Sequence, residues 1–360
     1  MKMRDLFKGV ALFFAAAIVF TSCNDNDDNI VQTEPLGDYE EGIFVTSEGG
    51  SISGSVDFIA SDFSVSENSI YANVNNEELG TYFQSAYFDG DYAYLVVDNA
   101  NTITVVNRYT FEKVGTITGL LMPIYMTVAD GKGYVTNWGD PFNATDDFIA
   151  VVNLENFAVE STISVGEGPQ QLVATDGQLF VTHLGGYSSN NIVSVIDLAD
   201  NTVSTITVED NPDDIVVNNA GEVVVLSQGA TLYDANWNPI GDTVGSISFI
   251  NTSTLAVDNS FAFAEGNHPS LMAYNNGVLY YVLNGSVYSM TDAATELPTS
   301  ADLTLDASVY AYGMAVDNNN LYILNASFTE LSDLLVYDLG TFTETYSFEV
   351  GLGASHVYFN

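Results

Sequence analysis

The chain has very few basic residues. Its 360 residues include 6 Lys and Arg against 47 Asp and Glu, which gives a formal net charge of −41. Proteins that bind nucleic acids neutralise phosphates with clustered Lys and Arg, so this composition excludes nucleic acid as a partner. Strongly anionic ligands are disfavoured for the same reason, whereas neutral ligands, cationic ligands and metal ions are not.

Proline and helical sequence patterns are also scarce. There are 8 Pro against 29 Gly, and no run after residue 23 has sustained helical periodicity. The apolar content of 47% is enough for a large core, and the 12% aromatic content favours many short strands joined by tight turns. We therefore expect an all-β chain with few helices, as one domain or two smaller ones.

No hydrophobic run is long enough to span a bilayer, but the N-terminus has the pattern of an export signal. Basic residues at positions 2, 4 and 8 precede the apolar stretch Val10 to Phe20, and the small residues Thr21 and Ser22 precede Cys23, the single cysteine. This resembles a bacterial lipobox, in which the cysteine is acylated and becomes the first residue. An ordinary secretory signal with an incidental cysteine is the alternative reading.

The segment after Cys23 is polar and acidic. Residues 24–29 read Asn-Asp-Asn-Asp-Asp-Asn, and the polar run continues to Glu40, so this segment is predicted to be a disordered tether. Acidic residues at this place resemble the surface-export signal of lipoproteins in the Bacteroidota. The predicted organisation is a lipoprotein signal peptide over 1–22, an acidic tether over 23–40 and a folded region over 41–360, at the outer membrane and facing the cell exterior.

A short strand pattern recurs through the folded region. Asp130-Gly131 forms a turn, Tyr134 to Asn137 reads as an alternating strand, and Trp138-Gly139 ends it. Seven copies of the strand can be aligned: Phe44–Ser47, Tyr94–Val97, Tyr134–Asn137, Phe180–His183, Val224–Ser227, Tyr280–Asn284 and Tyr322–Asn325.

Each copy is flanked by further strand patterns. A feeder strand precedes six of the seven, and most are followed by a third strand ending in Asn or Asp and by a fourth strand. Four antiparallel strands repeated seven times predict a seven-bladed β-propeller. The first unit lacks its feeder strand, and residues 354–360 form an unpaired one, so we expect this segment to pair with residues 43–47 and close the ring.

These motifs identify a resemblance to a known family. With the literal Tyr134-Val-Thr-Asn137 and its degenerate copies, residues 41–360 resemble the YVTN-repeat, YncE-like propellers. Together with the lipobox and tether, the chain is similar to Bacteroidota surface lipoproteins of the BtuG type. That resemblance implies capture of cobalamin and its transfer to a TonB-dependent transporter.

The candidate ligand site lies where the repeat is interrupted. The second and third strands are joined by long loops at 138–147, 184–190 and 228–244, and long loops on a rigid scaffold often carry function. These loops and the interblade connections are predicted to gather aromatic and imidazole side chains on one face. The candidate ligand-binding residues are Tyr125, Trp138, Phe142, His183, Tyr187, Tyr233, Trp237, His268, Tyr310 and Tyr312.

Several of these residues have a structural alternative. His183 replaces the Asn of the parent motif, where a satisfied polar side chain competes with a ligand contact. For Trp138 and Trp237, packing between loops and stacking on a ligand are equally open. Tyr94, Tyr134, Phe180 and Tyr322 are predicted to be blade core, and the Asn or Asp at the ends of third strands to cap turns.

No catalytic motif, metal site or cofactor is predicted. The histidines at 183, 268 and 356 come from separate blades at no recognised ligand spacing. The pairs Asp146-Asp147 and Asp213-Asp214 are predicted to be solvated turns rather than calcium ligands. The favoured function is therefore non-enzymatic capture of a small molecule, with a corrinoid implied by the resemblance. The alternatives are a lactonase-like enzyme and a surface protein-interaction or adhesion module.

The anchor leads to a direct test. Cys23→Ala removes the thiol that would carry the diacylglyceryl group, so the variant should lose its acyl mass and partition into buffer rather than detergent. Mass spectrometry and detergent phase partitioning measure both properties. A wild-type protein without an acyl mass would refute the lipoprotein interpretation.

Overall fold

The computed structural model describes residues 35–140, 142–186, 188–317 and 319–360. The predicted signal peptide and Cys23 lie outside the described residues, as do most of the tether and Tyr187. In the described part, seven four-stranded antiparallel sheets form the blades of a propeller, and one two-stranded hairpin is added. The predicted fold is therefore confirmed.

The first three blades contain eleven of their twelve strands in chain order, with one helix after the first blade. These elements are β1 (Gly42–Ser47), β2 (Ser55–Ala60), β3 (Ser66–Glu67), α1 (Ile70–Asn75), β4 (Phe83–Asp89), β5 (Tyr92–Val97), β6 (Thr102–Asn107), β7 (Lys113–Ile117), β8 (Pro123–Ala129), β9 (Lys132–Asn137), β10 (Phe148–Asn153) and β11 (Ala158–Ser164).

The remaining blades follow, with the extra hairpin inserted in the fifth. Their strands are β12 (Pro169–Thr175), β13 (Gln178–His183), β14 (Ile192–Asp197), β15 (Val203–Thr207), β16 (Pro212–Val217), β17 (Val223–Ser227), β18 (Thr231–Tyr233), β19 (Pro239–Asp242), β20 (Ser246–Asn251), β21 (Ala256–Ala262), β22 (Ser270–Asn275), β23 (Val278–Leu283), β24 (Ser286–Thr291), β25 (Leu303–Thr304), β26 (Ala311–Asp317), β27 (Asn320–Asn325), β28 (Ser332–Asp338), β29 (Thr343–Val350) and β30 (Ala354–Phe359).

The innermost strands form a closed ring. They are β30, β4, β8, β12, β16, β22 and β26, and each contacts the innermost strands of both neighbouring blades. We call the end at which these strands begin the channel face. The other end, where tight turns such as Asp130-Gly131 join the first and second strands of a blade, is the opposite face.

The second strand of each blade is its most buried element. Tyr94, Tyr134, Phe180 and Tyr322 are at most 4% exposed, which confirms their prediction as core. These strands lie between two others in the sheet and pack against adjacent blades on both faces, so they are continuously apolar rather than alternating. The fourth strands, such as β11 and β29, are largely exposed at the rim.

A β-bulge interrupts every innermost strand near its start. The register between the innermost and second strands shifts there in all seven blades. A bulge leaves backbone groups without ladder partners and redirects side chains. In blade 3, Thr136 Oγ1 accepts a hydrogen bond from Tyr125 N at 2.9 Å, and in blade 4 Thr182 Oγ1 accepts one from Gln171 N at 3.1 Å. The Thr of the repeated motif therefore satisfies the bulge.

The last residue of the motif holds the interblade connection. Asn137 Oδ1 accepts a hydrogen bond from Leu121 N at 3.0 Å, and Asn325 Oδ1 accepts one from Tyr310 N at 2.9 Å. The Asx residues at the ends of third strands cap turns as predicted. Asn107 Oδ1, for example, accepts hydrogen bonds from the N–H groups of Tyr109 and Thr110.

The C-terminal strand closes the ring as the sequence predicts. β30 pairs antiparallel with β1, with Phe44 opposite Tyr358 and Thr46 opposite His356. Asp57 of β2 adds a second connection, because its carboxylate accepts hydrogen bonds from Ser69 N and Gly351 N, each at 2.7 Å. Burial raises the pKa of Asp57 to about 6.

The packed region begins before residue 41, so the predicted tether ends too late. Tyr39 is buried, and its ring makes edge contacts with Phe58 and Phe111 at centroid distances of 5.1 and 5.7 Å. Its backbone N–H donates to Tyr109 O at 2.9 Å. The large aromatic side chain, which gains from burial, overrides the polar character of the surrounding sequence. These contacts lie on the opposite face.

Two blades depart from the repeat. In blade 1 the outermost strand β3 has two residues, and α1 packs beside it with Ile70 and Tyr71 buried. In blade 5 the β18–β19 hairpin extends from the channel face. No helix in the described part of the chain is long and apolar enough to cross a membrane.

Ring closure can be tested by truncation. Deleting residues 354–360 exposes β1 as a sheet edge and removes the contacts of β30 with blades 2 and 7. We expect a melting temperature lower by more than about 10 °C, or loss of the single cooperative transition. Replacing residues 232–241 of the hairpin by Gly-Gly is the control, since this hairpin lies outside the seven sheets. Equal melting of both truncated proteins would contradict the role of β30.

Candidate functional site

The channel face opens into a cavity of about 430 Å3 lined by side chains from all seven innermost strands. The bulges lie at the level of this cavity, so consecutive residues of an innermost strand both reach it. Its polar lining consists mainly of carboxylates, amides, tyrosines and one imidazole. These are Glu48, Gln84, Tyr125, Gln170, Gln171, Asp213, Asp214, Gln228, Tyr310, Tyr312 and His356.

Two adjacent carboxylates form the most acidic part of the cavity. Asp213 Oδ2 accepts a hydrogen bond from Gln228 Nε2 at 2.7 Å, and Asp214 Oδ1 accepts one from Gln171 Nε2 at 2.7 Å. Asp214 Oδ2 also accepts a hydrogen bond from Met272 N at 2.9 Å. The pair lies on the innermost strand β16, so the prediction of a solvated turn at Asp213-Asp214 is wrong.

Burial changes the protonation of this pair. The pKa of Asp213 is raised to about 8, mainly because the carboxyl is removed from water and to a lesser extent because of the negative charge of Asp214. Burial also raises the pKa of Asp214, against the hydrogen bonds from Met272 N and Gln171. Two like charges this close disfavour double ionisation. Near neutral pH the pair therefore holds one proton.

Two hydrogen-bonded pairs lie on the other side of the cavity. Tyr312 Oη donates to Glu48 Oε1 at 3.0 Å, and Tyr125 Oη lies 2.7 Å from His356 Nε2. Burial raises the pKa of Glu48 and lowers the pKa of His356 to about 4. His356 is therefore neutral at physiological pH and brings no positive charge.

The basic residues lie away from this cavity. Lys113 pairs with Glu77 at 2.6 Å, Lys132 pairs with Glu160 at 3.0 Å, and Arg108 contacts Asn360. All three are close to turns of the opposite face, at the end of β6 and the starts of β7 and β9. The acids that line the cavity thus have no Lys or Arg beside them in the described part of the chain.

Three predicted ligand residues line the cavity. Tyr125, Tyr310 and Tyr312 face it, and the rings of Tyr310 and Tyr312 stack with a centroid distance of 5.7 Å and an interplanar angle of 22°. Tyr310 is 57% exposed at the mouth. These side chains form the aromatic part of the wall of the cavity that also contains the Asp213–Asp214 pair.

Trp138 lies at a different depression on the same face. It is half-buried, its Nε1 donates to Pro169 O at 2.9 Å, and it lines a recess of about 750 Å3 together with Tyr82 and Leu121. Phe142, in the same loop, is 91% exposed. Trp138 therefore combines a packing role with a surface that a ligand can reach.

Trp237 and Tyr233 belong to the β18–β19 hairpin. They are 81% and 52% exposed, with ring centroids 6.1 Å apart. His268 braces the hairpin, because its Nδ1 lies 2.9 Å from Gln228 O and its Nε2 lies 3.1 Å from Asp242 Oδ1. None of these three aromatic or imidazole side chains lines the central cavity.

His183 does not reach a ligand surface. It is fully buried, with Nδ1 3.0 Å from Glu167 O and Nε2 2.8 Å from Ser194 Oγ, and burial lowers its pKa to about 4. Its prediction as a ligand contact is wrong, and the alternative of a satisfied polar residue holds. No group of three His, Cys, Asp or Glu side chains in the described residues is arranged to hold a metal ion.

The pair Asp146-Asp147 is not a solvated turn either. Asp147 is 3% exposed, and its carboxylate accepts a hydrogen bond from Gly168 N at 2.5 Å. Burial raises the pKa of Asp147 to about 6. The pair anchors the long loop of blade 3 to the start of blade 4, which is a structural role.

The carboxylates and amides that line the cavity were not predicted from the sequence. Gln170-Gln171 and Asp213-Asp214 each follow the proline that begins an innermost strand, and they occupy equivalent places in blades 4 and 5. Paired polar residues in an otherwise apolar feeder strand were the available signal. Four of the six glutamines of the chain line this one cavity, namely Gln84, Gln170, Gln171 and Gln228.

A family model described as "Domain of unknown function (DUF5074)" matches residues 41–354. None of the curated proteins matches the chain. Among solved structures, the chain is similar to a "putative 6-phosphogluconolactonase" from Bacteroides fragilis NCTC 9343, with 11% identity and a TM-score of 0.63 over 90% of this chain and 99% of that one.

Two further structures share the fold at similar distance. Hydrazine synthase of Kuenenia stuttgartiensis is 17% identical, with a TM-score of 0.59 over 75% of this chain and 89% of that chain. AztD from Citrobacter koseri is 12% identical, with a TM-score of 0.52 over 88% and 97%. At these identities the similarity establishes the fold and no activity.

The acid pair makes a pH-dependent stability prediction. The pKa of Asp213 is about 8 in the folded chain and near its ordinary value of 3.8 when unfolded, so the folded state binds the extra proton. This stabilisation is full at low pH and is lost as the pH rises through about 8. Below pH 8 the free energy of unfolding therefore falls by up to about 1.4 kcal/mol for each unit by which the pH rises.

Urea unfolding between pH 7.5 and 9 measures that slope. In this window His183 and His356 are neutral in the folded chain, and unfolded histidines, with a pKa near 6.5, have lost most of their protons. The buried carboxyls with a pKa of about 6 are ionised in both states, so Asp213 makes the main contribution. Asp213→Asn should flatten the slope and raise stability at pH 9. Glu330→Gln, an equal change of charge at an exposed residue of the same face, should leave it unchanged. An unaltered slope in Asp213→Asn would show that the carboxyl does not hold the proton.

Proposed function

Because the chain belongs to the DUF5074 family, a domain of unknown function, it inherits no activity, and we propose that it captures a small molecule at the channel face. One observation carries the proposal: four glutamines and two stacked tyrosines converge on a single open cavity. The scaffold does not require them there, because the blade cores are formed by other residues. Convergent polar groups beside apolar surface are typical of ligand sites.

The chemistry of the face favours a neutral or cationic ligand with many hydrogen-bonding groups. Primary amides such as those of Gln84 and Gln228 donate and accept, so they complement other amides. Burial of an anion beside Asp213, Asp214 and Glu48 is unfavourable without a basic partner. A phosphorylated lactone is therefore a poor substrate here, and the lactonase-like alternative has no support from the site.

A corrinoid is the cargo that we favour. The resemblance to YncE-like and BtuG-type proteins suggests it, and corrinoids carry a broad macrocycle with several primary amide arms. A molecule of that size exceeds the cavity of about 430 Å3, so it would cover the mouth and extend over neighbouring recesses. The aromatic side chains exposed on the channel face include Tyr310 at the mouth, Tyr82 and Trp138 at a separate recess, and Trp237 on the hairpin.

The cellular context is part of the same proposal. The basic n-region, short apolar run and Cys23 support a lipid anchor in the outer membrane, with the propeller outside the cell. A TonB-dependent transporter would then receive the cargo. The exposed hairpin with Tyr233 and Trp237 keeps a protein-interaction role open as the second class of function, since exposed apolar patches favour partners.

Calorimetric titration with cyanocobalamin tests the cargo. We expect binding to the wild type, weakened by about 1 to 3 kcal/mol in Trp138→Ala and in Trp237→Ala, because large aromatics bury apolar ligand surface. Tyr346→Ala is the matched control, since this half-exposed aromatic side chain stacks on Phe63 at the outer rim of blade 7.

Two results would oppose the proposal in different ways. Absence of binding by cyanocobalamin and by cobinamide would remove the corrinoid as cargo. Equal affinities of the wild type and the Trp138→Ala/Trp237→Ala double variant for a corrinoid would place its site elsewhere.

A further inference from the structure

We propose that the channel below the mouth is a binding site for a small organic cation, specifically a primary ammonium group carried on an apolar body. This site lies in the same cavity, below the mouth that the proposed cargo would cover, and it does not require a corrinoid. Its elements are the Asp213–Asp214 pair, Glu48 and the stacked rings of Tyr310 and Tyr312.

The charge of the cavity is the first argument. Three carboxylates line it, and no basic side chain of the described residues contacts them: Arg108, Lys113 and Lys132 have partners on the opposite face. Asp213 and Asp214 receive hydrogen bonds from neutral donors: the amides of Gln170, Gln171 and Gln228 and the backbone N–H groups of Leu271 and Met272. A cation would supply the missing counter-charge in a place where burial strengthens its attraction.

The second argument does not depend on charge and concerns a buried oxygen beside the pair that has no hydrogen-bond partner. Gln170 Oε1 is fully buried at the cavity wall and has no hydrogen-bond partner among the described residues. The amide nitrogen of Gln170 faces Asp213 and donates a hydrogen bond to its carboxylate. A buried carbonyl oxygen without a donor is unfavourable, and an ammonium ion in the cavity would bring three N–H donors next to Gln170.

The aromatic and apolar wall selects an organic ion over a simple metal ion. Tyr310 and Tyr312 stack at the mouth, and Leu271, Met272 and Met314 line the remaining surface. Aromatic faces attract ammonium groups, and the apolar body of an alkyl or benzyl amine would be covered by this wall. A metal ion prefers a shell of oxygen ligands, and the described residues contain no group of three metal-type side chains so arranged.

Binding at this site should release a proton. The proton that the Asp213–Asp214 pair holds near neutral pH would leave when an ammonium group arrives, because both stabilise the same negative charge. The other titratable groups facing the pair are Tyr125, Tyr312, Glu48, His356 and Tyr358. Burial raises the pKa of the three tyrosines far above neutral and lowers the pKa of His356 to about 4, so these four groups keep their protonation state. Burial also raises the pKa of Glu48, and any proton on its carboxyl would leave for the same reason as the proton of the pair.

The test compares three probes of one shape: benzylammonium, benzyl alcohol and benzoate. Titration calorimetry at pH 7.5 in about 0.15 M NaCl, which screens distant surface charge, should give an affinity for benzylammonium at least about tenfold higher than for benzyl alcohol. Benzoate should give no binding heat. Repeating the benzylammonium titration in two buffers of different ionisation enthalpy should give different observed enthalpies, because a proton is released.

Two variants separate this site from general attraction to an acidic protein. Asp213→Asn should weaken benzylammonium at least about tenfold and abolish the buffer dependence, while Glu330→Gln, which changes net charge equally on the same face, should leave both unchanged. If Asp213→Asn does not melt cooperatively, Tyr310→Ala at the exposed mouth replaces it, with weakening of about threefold or more expected.

Equal affinities for benzylammonium and benzyl alcohol would overturn the inference. Undiminished benzylammonium binding by a folded Asp213→Asn variant would do the same. Neither result bears on corrinoid capture, and absence of corrinoid binding would leave the cation site untouched.

Discussion

The ladder of hydrogen bonds between β1 and β30 holds the two ends of the chain together, and the channel depends on it. Most contacts between blades join neighbours, and the hydrogen bond between Tyr125 and His356 adds one contact across the channel between blades 3 and 1. Asp57 strengthens the junction by binding backbone N–H groups from both sides of it. His356, a lining residue, lies in the closing strand itself, so an open ring would lose both the shape of the cavity and part of its wall.

The recurring motif Tyr134-Val-Thr-Asn137 was enough to predict the architecture, and the structure gives each position a reason. The aromatic residue fills the space between blades, the Thr satisfies the bulge of the neighbouring strand, and the Asn holds the incoming connection. Because these roles are local, they leave a pattern with a fixed period that can be read without a structure. The C-terminal pairing followed from counting strands, since one missing strand matched one surplus strand.

The polar lining of the cavity could not be read in the same way. Adjacent charges such as Asp213-Asp214 are usual in turns, and a regular strand would send them to opposite sides. The bulge removes that alternation, and only the closed ring brings Glu48 into the same cavity. His183 was predicted to contact a ligand because a titratable side chain ends the motif there. The side chain is instead buried and hydrogen-bonded to Glu167 O and Ser194 Oγ. Convergence of distant residues is a property of the assembled ring rather than of any segment.

The Lys and Arg residues of the described part of the chain are placed unevenly. Arg108, Lys113 and Lys132 all lie near the opposite face, where each has a carboxylate or amide partner. A positively charged molecule that approaches the channel face therefore meets no fixed positive charge of the described residues on its way to the cavity. The same arrangement gives an approaching anion no fixed positive charge to bind, so the side of the ring on which the cations are held matters more here than their number.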